Sequence, residues 1–156
     1  MKVYKPPSNI RKVDLTNSVF LAGSIEMGAA EDWQKRVENY LGDTEGVILN
    51  PRRDDWDSSW TQSIHDKNFR QQVEWELYGL ENAKLIAMYF AEDTISPITL
   101  LELGLHLRSS NIIVCSDKDY KRKGNVDITC NYYHIPVLDS FEMFLKLVKK
   151  RMLIKQ

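Results

Sequence analysis

Six consecutive apolar residues, Leu85-Ile86-Ala87-Met88-Tyr89-Phe90, most constrain what this chain can fold into. A short apolar run unbroken by polar alternation reads as a strand covered on both faces. Such strands belong to parallel sheets flanked by helices. Ser18 to Ala22 (SVFLA) and Asn111 to Cys115 (NIIVC) have the same character. Val47-Ile48-Leu49 is a shorter run. Ile135-Pro136-Val137 reads as a short edge strand, where proline is tolerated.

Helical patterns alternate with these runs. A helix is expected from about Glu31 to Leu41, with Trp33, Val37 and Leu41 at four-residue spacing. A second runs from about Asp66 to Asn82, with Phe69, Val73, Leu77 and Leu80 as its buried stripe. Ser96-Pro97 reads as an N-cap with proline at the first helical position, opening a third. Phe141 to Met152 closes the chain as an amphipathic helix with Phe144, Leu145 and Val148 inward. The intervening SDKDYKRKGNVDITCNYY is expected to be a long loop.

About five strands alternating with about four helices predict an α/β fold, a flavodoxin-like doubly wound parallel sheet with helices on both faces and strand order 2-1-3-4-5. Its switch point lies between the first and third strands, so the loops after them flank one crevice at the carboxyl edge of the sheet. No internal repeat or low-complexity linker divides the 156 residues. They read as a single domain over 1–156, with residues 1–17 as an N-terminal extension.

Composition excludes several function classes. A formal charge of −1 supplies no general attraction to nucleic acid or anionic membrane. No apolar run is long enough to span a bilayer, and MKVYKPPSNIRKVD lacks the apolar core of a signal peptide. Cys115 and Cys130 form neither a disulfide framework nor a CxxC pair, so a reduced, cytoplasmic chain is expected. His65, His106 and His134 are scattered without metal-ligand spacing, and neither a metal nor a cofactor is expected.

Chemistry-bearing residues gather at the loops beside the predicted crevice. Glu102 is a lone acid among Leu100, Leu101, Leu103 and Leu105, and burying a carboxylate is costly. Helical side chains lean toward the helix N-terminus, so Glu102 is expected to lean toward the end of the Leu85 strand; the plainer reading is a partly exposed surface glutamate. Gly23-Ser24-Ile25-Glu26-Met27-Gly28 follows the first strand, with glycines that let a backbone approach a ligand. It is neither GxGxxG nor a P-loop. Glu76 falls on the inward stripe of its helix, where an acid needs a partner such as Arg52 or Arg53, or a function. The loop NPRRDDWDSSW offers Trp56 and Trp60 for stacking a heterocycle, and Arg52, Arg53, Asp54, Asp55 and Asp57 for reading its polar edges; the plain alternative is a solvated loop. Tyr120 to Asn125, YKRKGN, is a basic patch that could meet phosphate or nucleic acid, but it is short and more in keeping with a solvated loop.

Together these stretches resemble the nucleoside 2-deoxyribosyltransferase family, closest to its 2-deoxyribosyltransferase-like branch. The resemblance runs from about Phe20 to Val137 and rests on FLAGSI, NPRR with Trp56, QVEWELYGLENA, SPITLLELG and RKGNV. It implies the flavodoxin-like sheet already expected from the strand pattern. It implies Glu102 as nucleophile, Glu76 as the acid that contacts the leaving base, and Asn125 reaching into a neighbouring subunit's site, hence a homodimer or higher homo-oligomer. It also implies substrate contacts from Ala22, Gly23, Ser24, Ile25, Gly28, Arg52, Arg53, Asp55, Trp56 and Ser96. Two positions depart from the pattern. Typical transferases carry an aspartate where this chain has Ser96. A hydrolase branch acting on 5′-monophosphates has a GSIRGG-like loop where this chain has GSIEMG, and Glu26 facing a phosphate would repel it, although Arg52 and Arg53 could compensate as a phosphate clamp.

The expected reaction is transfer of a 2-deoxyribosyl group between nucleobases through a glycosyl-glutamate intermediate, with the leaving base protonated or hydrogen-bonded by Glu76 or by an acid of the Asp54 to Asp57 loop. The expected partners are a small-molecule nucleoside and a free nucleobase, with no nucleic-acid polymer and no membrane. Hydrolysis of deoxynucleosides or their 5′-monophosphates uses the same groups with water as acceptor. A non-catalytic nucleotide-binding domain is the alternative from a different class.

Overall fold

A computed structural model describes residues 1–25, 31–109 and 111–154. Six strands form one sheet: β1 (Lys2–Tyr4), β2 (Ser18–Gly23), β3 (Val47–Leu49), β4 (Leu85–Phe90), β5 (Ile112–Ser116) and β6 (Val137–Leu138). Their order is β1-β3-β2-β4-β5-β6, and every neighbouring pair is parallel. Strands β2 to β6 follow the order expected from the sequence. The sixth strand, β1, comes from the segment read as an N-terminal extension; it pairs with β3 through Lys2↔Val47, Val3↔Ile48 and Tyr4↔Leu49.

Five helices cover the sheet: α1 (Trp33–Leu41), α2 (Lys67–Asn82), α3 (Pro97–His106), α4 (Lys123–Tyr132) and α5 (Phe141–Leu153). All six residues of β4 are buried, as an unbroken apolar run requires of a strand covered on both faces. Its side chains alternate. Ile86, Met88 and Phe90 join Phe20 and Ala22 in a core with Trp75 and Leu80 of α2, Leu103 of α3, and Val126 and Cys130 of α4. Leu85, Ala87 and Tyr89 join Val19 and Leu21 in a second core with Trp33, Val37 and Leu41 of α1, and Phe144, Val148 and Met152 of α5. Each fully buried side chain of this size contributes about 1.5–3 kcal/mol. None of the described helices is long and apolar enough to cross a membrane.

Three local expectations need correction. The expected loop after β5 contains α4. Val126 and Cys130, four residues apart, reach the core, and that burial overrides the weak local preference of GNVDIT. The buried face of α2 is also rotated. Gln72, Trp75, Gly79 and Leu80 are buried, while Leu77 is exposed and Phe69 and Val73 are half-buried. The helix rests on the sheet at Gly79, where an added Cβ would lie 2.7 Å from the Phe20 ring, and Trp75 flanks that contact. Glu76 therefore sits at the margin of the buried face. Finally, Ser96 opens α3 but does not cap it with its side chain. Its backbone is left-handed (φ 49°, ψ 52°), and its hydroxyl turns elsewhere.

Candidate active site

The carboxyl ends of β2 and β4 lie side by side, with Gly23 opposite Tyr89. A Cβ on Gly23 would fall 2.4 Å from the Tyr89 carbonyl oxygen and 2.7 Å from the Trp33 ring. The space that glycine opens is thus filled by the protein itself. Beyond it, Ser24 ties the two strand ends together. Its Oγ lies 2.6 Å from Ser96 Oγ and 2.8 Å from Thr94 Oγ1, which are 2.8 Å from each other, and it accepts the Ala91 N–H at 3.1 Å. All three hydroxyl residues are buried. A left-handed backbone costs a non-glycine residue about 1 kcal/mol or more, and this network holds Ser96 in it.

Proline at its first position starts α3, and the helix carries Glu102 against the sheet. Glu102 is only 8% exposed, and no hydrogen bond from a described residue acts on its carboxyl. Burial first, and the charge of Glu76 second, push it up to about 8. The two carboxyls therefore sense one another across the α2–α3 boundary. Glu76 is pushed up to about 7 by burial, which a hydrogen bond from Gln72 partly offsets. Gln72 Nε2 donates to Glu76 Oε1 at 2.7 Å and to the Pro51 carbonyl at 2.9 Å, linking α2 to the end of β3. Two raised, coupled carboxyls share a proton over the neutral range, and that proton belongs to the pair. One ionised and one protonated carboxyl side by side can act as nucleophile and acid.

The other residues singled out from sequence divide into groups. Ala22 is buried in the α2–α4 core, Ile25 is half-buried at the end of the β2 segment, and Gly28, like Glu26, lies outside the described residues. The arginines do not pair with Glu76. Arg52 reaches Gln34 Oε1 (3.4 Å) and the Glu31 carbonyl (3.5 Å), with Asp32 at 3.9 Å. Arg53 grips Asp55 through two bonds of 2.6 and 3.2 Å and stacks on Trp60 at 4.7 Å. That grip holds Asp55 below its ordinary carboxylate value. Trp56 packs edge-on against Trp60 at 5.1 Å, so the two rings cover one another. Asn125 is exposed on α4, with no described contact to Glu102. Among the described residues, no group of three or more His, Cys, Asp or Glu side chains could hold a metal ion.

Two participants escaped the sequence reading. Gln72 stands one turn before Glu76, and polar residues at i and i+4 flanking a buried stripe are the signal that could have found it. Thr94 gave no signal, because its role depends on a contact 70 residues away.

No curated protein matches the chain. A family profile described as "Nucleoside 2-deoxyribosyltransferase like" matches residues 16–120, a stretch that takes in β2 through β5, Glu76 and Glu102 and stops short of Asn125. With two thirds of its length matched, and Glu76 and Glu102 within the match, the chain belongs to the nucleoside 2-deoxyribosyltransferase-like family.

Proposed function

We propose that this protein transfers a 2-deoxyribosyl group from a deoxynucleoside to a second nucleobase through a covalent ester on Glu102. The observation that carries the reading is the coupled pair: Glu102 and Glu76 are both pushed up by burial, and they hold one proton between them near neutrality. Ionised Glu102 attacks C1′. The C1′–N bond breaks, its electrons pass to the base nitrogen, and Glu76 gives that nitrogen its proton. Positive charge developing at C1′ favours ionised Glu102 and so drives the shared proton onto Glu76. In the second half, the incoming base nitrogen attacks C1′ and the ester C–O bond breaks. Glu76 takes the proton that this base sheds. Glu102 attacks from the face opposite the leaving base and the incoming base from the face the first one left, so two inversions return the starting configuration.

The donor in this reading is a deoxynucleoside rather than its 5′-monophosphate. Asp55 already occupies Arg53, so a phosphate clamp at this loop has to break an ion pair first. The active unit in this reading is a two-fold dimer. Ile95, Ile98, Leu101 and Leu105 on and just before α3, with Ile128 and Tyr132 on α4, are 57–77% exposed. Apolar on both faces, α3 reads as a helix that needs a second cover. Asn125 shares the exposed stripe with Ile128 and Tyr132, in reach of a neighbour packed there.

Incubating a deoxynucleoside with and without a second base, then separating the products, tests the reaction. Exchange supports transfer. Free sugar regardless of the added base means that water is the acceptor. No base release, with a Glu102→Ala protein indistinguishable from wild type, rejects the enzyme reading.

A further inference from the structure

We propose that Gln72 is a positioning residue for Glu76: its amide, anchored on the Pro51 carbonyl, fixes Glu76 Oε1 as an acceptor and leaves Oε2 to carry and deliver the proton. The catalytic consequence rests on the function proposed above; the clamp itself rests on geometry.

Gln72 is 5% exposed. An amide NH2 has two hydrogens, and here both are used, one on the Pro51 carbonyl at 2.9 Å and one on Glu76 Oε1 at 2.7 Å. Turning the amide over would set its oxygen against the Pro51 carbonyl. A backbone carbonyl only accepts, so it holds the amide nitrogen toward itself whatever the state of Glu76. Glu76 Oε1 then faces an N–H at all times, and because a carbonyl oxygen accepts that bond better than a hydroxyl oxygen does, the proton favours Oε2. The arrangement has a visible cost, since Gln72 Oε1 is buried with no partner. A methionine would fill much the same volume without leaving that acceptor unpaired, so packing does not account for the amide.

The groups around the pair are accounted for on each side. Glu102 acts on it from α3. On the β3–α2 loop, Arg53 is turned to Asp55 and Gln71, and Arg52 to Gln34 and Asp32. The Gln72 hydrogen bond is the contribution that opposes burial at Glu76.

The test follows proton position by NMR on the whole protein. In wild type, the Gln72 amide proton on Glu76 should shift as Glu76 titrates, while its twin on Pro51 stays still. Glu76→Gln should abolish the response. In Gln72→Met, the Glu76 carboxyl carbon should titrate about one unit higher, about tenfold in proton affinity. The limb of the pH–rate profile should move with it, with kcat lowered and KM little changed. Gln72 protons that ignore the Glu76 titration in wild type overturn the proposal, as does an unmoved midpoint in Gln72→Met. The wild-type measurement decides alone if that variant does not fold. Neither NMR reading uses a nucleoside. A protein that releases no base but shows the coupled titration rejects the proposed function and keeps the clamp, and the opposite result does the reverse.

Discussion

Replacing Glu102 by glutamine keeps the side chain's shape and removes its charge, and the effect on stability has a sign fixed by burial. The carboxyl has an ordinary value of 4.5 and is pushed up to about 8 in the folded protein. Between those limits the folded state keeps a proton that the unfolded chain has released. The unfolded state binds fewer protons, so stability falls as pH rises. The contribution is fully present below about 4.5 and is lost progressively until pH passes about 8. One unit corresponds to about 1.36 kcal/mol, so the full shift sets a ceiling of about 5 kcal/mol. Relaxation and water entering the crevice lower this to about 2–3 kcal/mol, a large share of the 5–15 kcal/mol typical of a domain. The assay is urea unfolding followed by tryptophan fluorescence near pH 5, 7 and 9. Wild type and Glu102→Gln should be close near pH 5, with the variant gaining about 2–3 kcal/mol by pH 9. Parallel pH dependences for the two proteins would refute the reasoning, because they require a Glu102 that ionises as freely folded as unfolded.

Three further outcomes are expected. Glu76→Gln should slow base release by about 100-fold or more through loss of a positioned acid, measured by chromatography of free base; unchanged turnover removes Glu76 from the mechanism. Gly23→Ala should cost about 3 kcal/mol, because the new Cβ meets a backbone carbonyl that cannot step aside, and a thermal midpoint within a degree of wild type rejects the close approach. Leu101→Glu puts a charge in the middle of the exposed apolar stripe of α3 and should shift sedimentation from dimer to monomer; a wild-type protein that is already monomeric and fully active sinks the dimer.

What the sequence made legible, and what it hid, follow one physical line. Strands β2, β4 and β5 are continuous apolar runs because both faces are covered, and that signal is local. Their parallel order follows from the helices between them. The orientation of α2 was not legible. It depends on Gly79 meeting Phe20, a contact 59 positions distant in the chain, and a hydrophobic stripe drawn through Leu77 cannot anticipate it. Helix α4 was hidden for a related reason, since two core contacts at Val126 and Cys130 stabilise a segment whose own preferences are weak. At the site, Glu102 and Glu76 stood out as acids in apolar settings. Gln72 did not, because a glutamine becomes informative only when both of its hydrogens have known destinations.

Ser96 brings these lines together. The resemblance implies an acid here, six residues before Glu102. In this chain the position belongs to a hydroxyl cluster with Ser24 and Thr94 that binds the end of β2 to the loop after β4. An aspartate in that buried, left-handed position would bring a charge among three oxygens within 2.8 Å of each other, a poor place for an anion unless the hydroxyls all turn to donate. Thr94 Oγ1 also lies 2.7 Å from the Ala91 carbonyl and Ser24 Oγ accepts the Ala91 N–H, so these hydroxyls already have partners that such a turn would disturb. Among the described residues, the side chains that tie these two strand ends together are therefore neutral hydroxyls. In the proposed reaction, proton handling falls instead to the α2 side, where Gln72, anchored on the Pro51 carbonyl, donates to Glu76 Oε1.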